Sequence, residues 1–147
     1  MAERMSKDEF KKWLKARTRK FAVDIFRFVD ELPKAKSSQV ISFQLAKSAS
    51  SMGANYREAT RAESGADFAH KISVIEKESD ETLFWLEVLS DLYPQPHKIH
   101  KALTPLLSES DELLRLFSSI RQGCKQKKSN NLIPHSRNKA IPQSPPP

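Results

Sequence analysis

Apolar residues return along most of this chain every three or four positions, the period of one face of an α-helix. In the first quarter they fall at Phe10, Leu14, Phe21, Ile25, Phe28 and Leu32, which predicts a helix over about 8–32. Ser6 followed by Glu9 has the spacing of a capping box. Pro33 stops this helix, because a proline disfavours the α region for the residue before it. A second stripe, Ile41, Leu45, Ser48, Met52, Asn55 and Ala59, predicts a helix over 38–62. Its middle, Ala46 to Ala54, is dominated by small side chains, which let a neighbouring helix come close. A third stripe, Phe68, Ile72, Ile75, Ser79, Thr82, Leu86 and Leu89, predicts a helix over 65–92 with Ser64 as its cap. Pro94 and Pro96 make the next turn. The fourth helix either runs in one piece from about His97 or begins at Pro105, with Thr104 as N-cap and Pro105 at the first helical position; a short turn at 97–103 and a main helix at 105–122, with Gly123 as the stop, is the favoured arrangement. Leu106, Leu113, Phe117 and Ile120 form its stripe.

The one strand-like run, Val40 to Phe43, leads straight into the small-residue helix, so no sheet competes. The pattern predicts an all-α fold, an antiparallel up-down four-helix bundle in one domain, 1–125. From Gln126 the chain is Lys-, Ser- and Pro-rich with few apolar residues. Such a segment buries too little surface to offset its ordering entropy, so a disordered basic C-terminal tail is expected over 126–147.

The last third of the third helix carries more apolar surface than a small bundle uses. Leu83-Phe84-Trp85-Leu86-Glu87-Val88-Leu89 is apolar almost all round, and a surplus apolar face calls for a second subunit. Phe84, Trp85 and Leu89 are the expected contacts of a homo-oligomer.

Composition narrows the setting. The chain has 147 residues, 38% of them hydrophobic and 29% charged, suited to one helix-rich domain. No apolar run approaches the about eighteen residues of a membrane span, so no membrane partner is expected. The charged start has no apolar segment behind it, so it does not read as a secretory signal. A single cysteine, Cys124, precludes an internal disulfide and fits a reducing, cytoplasmic setting. With no patterned partner, Cys124 reads as an incidental surface thiol.

Charge is unevenly distributed. Residues 1–20 carry eight Lys/Arg against three acids, and residues 121–147 carry six Lys/Arg and no acid, whereas 21–120 has eleven against fifteen. Basic chain ends on an acidic body are the layout of a polyanion-binding rim. The candidate nucleic-acid-binding residues are Lys11, Lys12, Lys15, Arg17, Arg19 and Lys20 at one end and Arg121, Lys125, Lys127 and Lys128 at the other. Trp13, interleaved with the first group, is either a stacking surface or a core residue.

Candidate chemistry is sparse. A bundle di-metal site needs Glu-x-x-His pairs from two helices. Only Asp67 to His70 approaches that spacing, so neither metal nor cofactor is expected. The acids of the third helix read as a solvated face rather than an acid–base pair, and no enzymatic role is expected. Asn55 and Glu58 lie one turn apart, and Asn55 reads as a structural polar group reaching the third helix. The residues favour a non-enzymatic oligomeric accessory protein binding DNA or RNA with little sequence specificity. A protein-interaction scaffold without nucleic acid is the alternative.

One resemblance is specific. Ser51-Met52-Gly53-Ala54-Asn55-Tyr56-Arg57-Glu58-Ala59, then Glu63-Ser64, Asp67-Phe68, Lys77-Glu78, Glu81-Thr82 and Trp85-Leu86 resemble a family of small bacterial four-helix bundle proteins. The family includes proteins encoded in intervening sequences of 23S ribosomal RNA genes and is related to the accessory protein of diversity-generating retroelements. The likeness spans roughly Phe21 to Lys125, with Glu58-Ala59 where many members have Glu-Gly. It implies an up-down bundle and a ring-like homopentamer. For the retroelement branch it also implies a basic surface that binds nucleic acid and a reverse transcriptase.

Overall fold

The computed structural model describes residues 4–139, with side chains described as far as Asn130. Four helices follow one another: α1 Lys7–Asp30, α2 Lys36–Ala59, α3 Gly65–Leu92 and α4 Lys98–Lys139. α2 packs on α3, α3 on α4 and α1 on α2, while α1 touches α4 only sparsely. This is the up-down bundle the periodicity predicts.

The expected caps are in place at α1 and α3. The Ser6 hydroxyl accepts from the Glu9 amide at 3.1 Å and the Glu9 carboxylate accepts from the Ser6 amide at 3.4 Å. The Ser64 hydroxyl likewise accepts from the Asp67 amide at 3.1 Å. Such caps satisfy amides that the first helical turn leaves unpaired.

α4 differs from expectation at both ends. It starts at Lys98, the one-piece alternative rather than the favoured start at 105, because His97 serves as a cap: its Nδ1 accepts from the Ile99 amide at 3.1 Å and its carbonyl from the Lys101 amide at 3.3 Å. The turn thereby delivers Ile99 and Leu103 to the core, both almost fully buried. Thr104 does not cap; its hydroxyl donates to the His100 carbonyl at 3.2 Å. Pro105 therefore sits inside the helix, on its exposed side, where loss of one backbone hydrogen bond is tolerated best. At the far end Gly123 does not stop the helix, since no glycine here takes a positive φ. Lys125, Gln126, Lys127 and Lys128, all good helix formers, follow it and carry the helix onward. The segment 126–139, expected as tail, is thus helical in backbone; residues 140–147 of that tail lie outside the described residues.

Every helix buries positions spaced by three or four. They are Leu14, Thr18, Phe21, Ile25 and Phe28 on α1, Ile41, Leu45, Ser48, Met52, Tyr56 and Ala59 on α2, Ile72, Ile75, Ser79, Thr82, Leu86 and Leu89 on α3, and Ile99, Leu103, Leu106, Ser110, Leu113 and Phe117 on α4. This is the seam of coiled-coil-like bundle packing. Thr18 fills the gap that the apolar stripe of α1 leaves between Leu14 and Phe21. Its hydroxyl donates to the Leu14 carbonyl at 2.9 Å, so a polar residue is buried without an unpaired group. Opposite it lies Gly53, where an added Cβ would fall 3.3 Å from Thr18 Oγ1; the small-residue face of α2 is what lets α1 approach.

Hydroxyls interrupt the apolar core midway. Thr82 Oγ1 lies 2.9 Å from Ser48 Oγ across the α2–α3 contact and also donates to the Glu78 carbonyl at 2.8 Å. Ser79 donates to the Ile75 carbonyl at 2.7 Å. Ser110 is fully buried, and its Oγ has no hydrogen-bond partner among the described residues. A buried polar atom without a partner costs about 1–3 kcal/mol, and serine is a poorer helix former than alanine. Ser110→Ala is therefore expected to raise stability by about 1 kcal/mol, read as a higher urea midpoint at unchanged m-value.

Candidate nucleic-acid interface

Antiparallel alternation sends α1 and α3 in one direction and α2 and α4 in the other. The first half of α1, the last turns of α2, the start of α3 and the later part of α4 therefore share one end of the bundle, here the basic end. The residues that the sequence places at opposite ends of the chain thus lie toward the same end of the bundle, on different flanks. Lys11, Lys12, Arg19, Lys125, Lys127 and Lys128 are exposed, Lys15 is half-buried, and none forms an ion pair among the described residues.

Three expected members of the set are instead engaged within the chain. Arg17 faces α4: its Nε donates to Glu109 at 2.9 Å and its Nη2 bonds both Glu109 and Glu112. Its guanidinium also sits 5.2 Å from the Trp13 ring centroid. Hydrogen bonding to Glu109 raises its pKa, burial opposes this, and Glu112 adds to the rise. Arg17 thus serves as the clamp across the sparse α1–α4 contact, with both carboxylates satisfied by one fork. Arg121 donates to Glu76 on α3. Burial pushes the Glu76 carboxyl up, but hydrogen bonds from Arg121 and Ser118 and the charges of Arg121 and Lys125 hold it below its ordinary value. Lys20 pairs with Asp24 one turn on, at 2.7 Å. For Arg17 and Arg121 a neighbouring helix brings its acids to the flank on which the cation lies, whereas Lys20 meets an acid one turn along its own helix. Trp13, 36% exposed, lies on the α4 flank with Phe10 and Arg17, away from the free cations.

Three of the free cations of α1 lie along its contact with α2. Lys12, Lys15 and Arg19 are joined there by Arg57 around a groove of about 460 Å³ floored by Ala16, Ala22, Ser50, Gly53 and Ala54. Arg57 was not among the expected residues. Its signal was present, since Ser50, Gly53, Ala54 and Arg57 follow the three–four spacing of the helix row that faces α1. Lys127 and Lys128 instead border an apolar recess beside Gly65, Phe68, Ile120 and Cys124. A larger groove, about 620 Å³, follows the open α1–α4 seam over Phe21, Phe28, Leu32, Ile99 and Leu106, with charged residues on its rims.

The other expected positions divide. Phe84 is 54% exposed and Trp85 half-buried, in edge contact at 5.0 Å between centroids. Leu89 is fully buried within the subunit, which corrects its placement at an interface: it continues the Ile72-to-Leu86 seam. Asn55 is half-buried, and its amide donates to the Ser51 carbonyl of its own helix at 2.8 Å, not to α3. The α2–α3 polar contact is made by Ser48 and Thr82, which lie on the inward stripe. Glu58 is exposed. Val23, Phe26, Val40, Phe43, Phe84 and Leu92 stand exposed toward the end opposite the basic one. Among the described residues no cluster of three or more His, Cys, Asp or Glu could hold a metal ion, and no helix is long and apolar enough to cross a membrane.

These features define a small all-helical bundle protein with a cationic end and exposed apolar side chains toward the other. The chain belongs to the 23S rRNA-intervening sequence protein family, whose sequence pattern matches residues 8–119. A solved structure from Bacteroides thetaiotaomicron, a protein of unknown function from the S23 ribosomal protein family, is 32% identical; the match covers 76% of this chain and 97% of that one, with a TM-score of 0.66. No protein of curated function matches the chain.

Proposed function

We propose that this chain is a non-enzymatic, self-associating accessory protein of the cytoplasm that binds DNA or RNA through its basic end with little sequence specificity. The observation that supports this reading is that Lys11, Lys12, Lys15 and Arg19 lie toward the same end of the bundle as Lys125, Lys127 and Lys128, unpaired with acids among the described residues. Lysine and arginine side chains displace the counterions of a phosphate backbone without reading bases. The exposed Val, Phe and Leu residues toward the opposite end supply the apolar surface for copies of the chain to associate. The family resemblance makes a homopentamer the assembly to test and a reverse transcriptase one candidate protein partner.

Fluorescence anisotropy with unrelated DNA and RNA sequences is the test. Binding at about micromolar protein in low salt, weakening steeply as salt rises and similar across sequences, is the expected result. Absence of binding at low salt would remove the nucleic-acid role and leave a protein-interaction scaffold, recognised by partners retained after nuclease treatment.

A further inference from the structure

We infer that the α1–α2 groove seats one phosphodiester strand of a nucleic-acid duplex, an inference that rests on the nucleic-acid reading above. Its walls carry Lys12, Lys15 and Arg19 from one helix and Arg57 from the other, and no acidic side chain lines it among the described residues. Its floor is alanine, serine and glycine, and Gly53 lets the two helices close to near contact at Thr18. Cations of two helices thus flank a shallow trough that no large side chain obstructs. From Lys12 to Arg19 the helix advances about 10 Å, at ~1.5 Å per residue. The row is therefore long enough to meet more than one phosphate of a strand. The two arginines add planar forks that bond phosphate oxygens in pairs.

The choice of duplex over single strand follows from what lines the groove. Proteins that hold single strands rest the bases on aromatic rings, and no aromatic side chain lines this groove among the described residues. Trp13 faces the α4 flank beneath Arg17. Contact is therefore with backbone alone, and the counterions released per contact are more numerous on a duplex, with a salt slope of about 0.9 per phosphate against about 0.7 on a single strand.

The test uses the full chain with labelled DNA and RNA duplexes of about 20 base pairs and their separated strands, titrated by anisotropy over a range of salt concentrations. Duplexes are expected to bind at least about tenfold more tightly than the strands. K12Q/K15Q/R19Q/R57Q is expected to weaken duplex binding more than about tenfold and to flatten the log–log salt slope by about 3–4 per site. Its circular dichroism and melting should match the unmodified chain. K125Q/K127Q/K128Q serves as the comparison and is expected to lose less. Wild-type duplex affinity in the first variant, with loss in the second, would overturn the groove while leaving the nucleic-acid reading intact. Single strands bound as tightly as duplexes would overturn the duplex assignment. Failure of the unmodified chain to bind any of these probes would end both.

Discussion

Leu89→Asp is expected to unfold the subunit, whereas Phe84→Asp, on the same helix, is expected to leave it folded and dissolve the proposed assembly. Leu89 is fully buried and Phe84 is 54% exposed. An aspartate at 89 loses the leucine's packing, about 2–5 kcal/mol for a truncation in a core. It also places a carboxylate among apolar neighbours without a partner, a further cost of several kcal/mol. A domain of this size is stable by only about 5–15 kcal/mol, so the sum removes most or all of the folded population. At 84 the carboxylate remains in water in the isolated subunit and meets apolar surface only where another copy covers it. Circular dichroism separates the two outcomes: helix lost at 89, helix kept at 84. Light scattering then reads the assembly, with Phe84→Asp expected near the 16.8 kDa of one chain and the unmodified protein well above it. A folded Leu89→Asp variant would contradict the burial, and an unmodified protein at one-chain mass would remove the exposed apolar side chains as an assembly surface.

The contrast between those two residues also shows what sequence pattern conveys. The three–four spacing from Ile72 to Leu89 identifies the inward face of α3, and it assigns Leu89 to the core as firmly as Leu86. A run that is apolar on all sides obscures that assignment, and only the neighbouring helices decide which of its residues point outward. The same limit applies to charge. Lysines and arginines are visible as a cluster at each chain end, and antiparallel alternation is enough to bring both clusters to one end of the bundle. Which of them are free is a property of pairs distant in sequence. Arg17 meets Glu109 and Glu112, and Arg121 meets Glu76, partners that depend on how far each helix slides along its neighbour. Arg57 was overlooked for the converse reason: one cation in an otherwise small-residue row stands out only once that row is placed against α1. The start of α4 turned on local chemistry, where a histidine acting as cap outcompeted the usual Thr-Pro signal seven residues later.

The segment Asn55-Tyr56-Arg57 joins the core to the proposed groove within one helical turn, which makes Phe117→Ala informative about both. Tyr56 is buried, its hydroxyl pKa pushed up by that burial, and its ring meets the fully buried Phe117 edge-on at 5.7 Å between centroids. This aromatic pair ties α2 to α4 at the basic end, where α1 contributes little contact with α4. Truncating Phe117 removes a fully buried ring and leaves a cavity, at about 3–5 kcal/mol, including an aromatic contact of about 0.5–1.5 kcal/mol. For a chain of this length that corresponds to a melting temperature lower by about 10–20 °C. The residue following Tyr56 is the one cation that α2 supplies to the groove, so a loosened Tyr56 loosens the position of Arg57. Duplex affinity measured at a temperature where the variant remains folded is therefore expected to fall about two- to fivefold, less than for removal of the Arg57 charge itself, given that a phosphate contact adds to affinity as a unit. Affinity unchanged in a variant that has lost the expected stability would mean that the groove's cations are positioned by α1 alone.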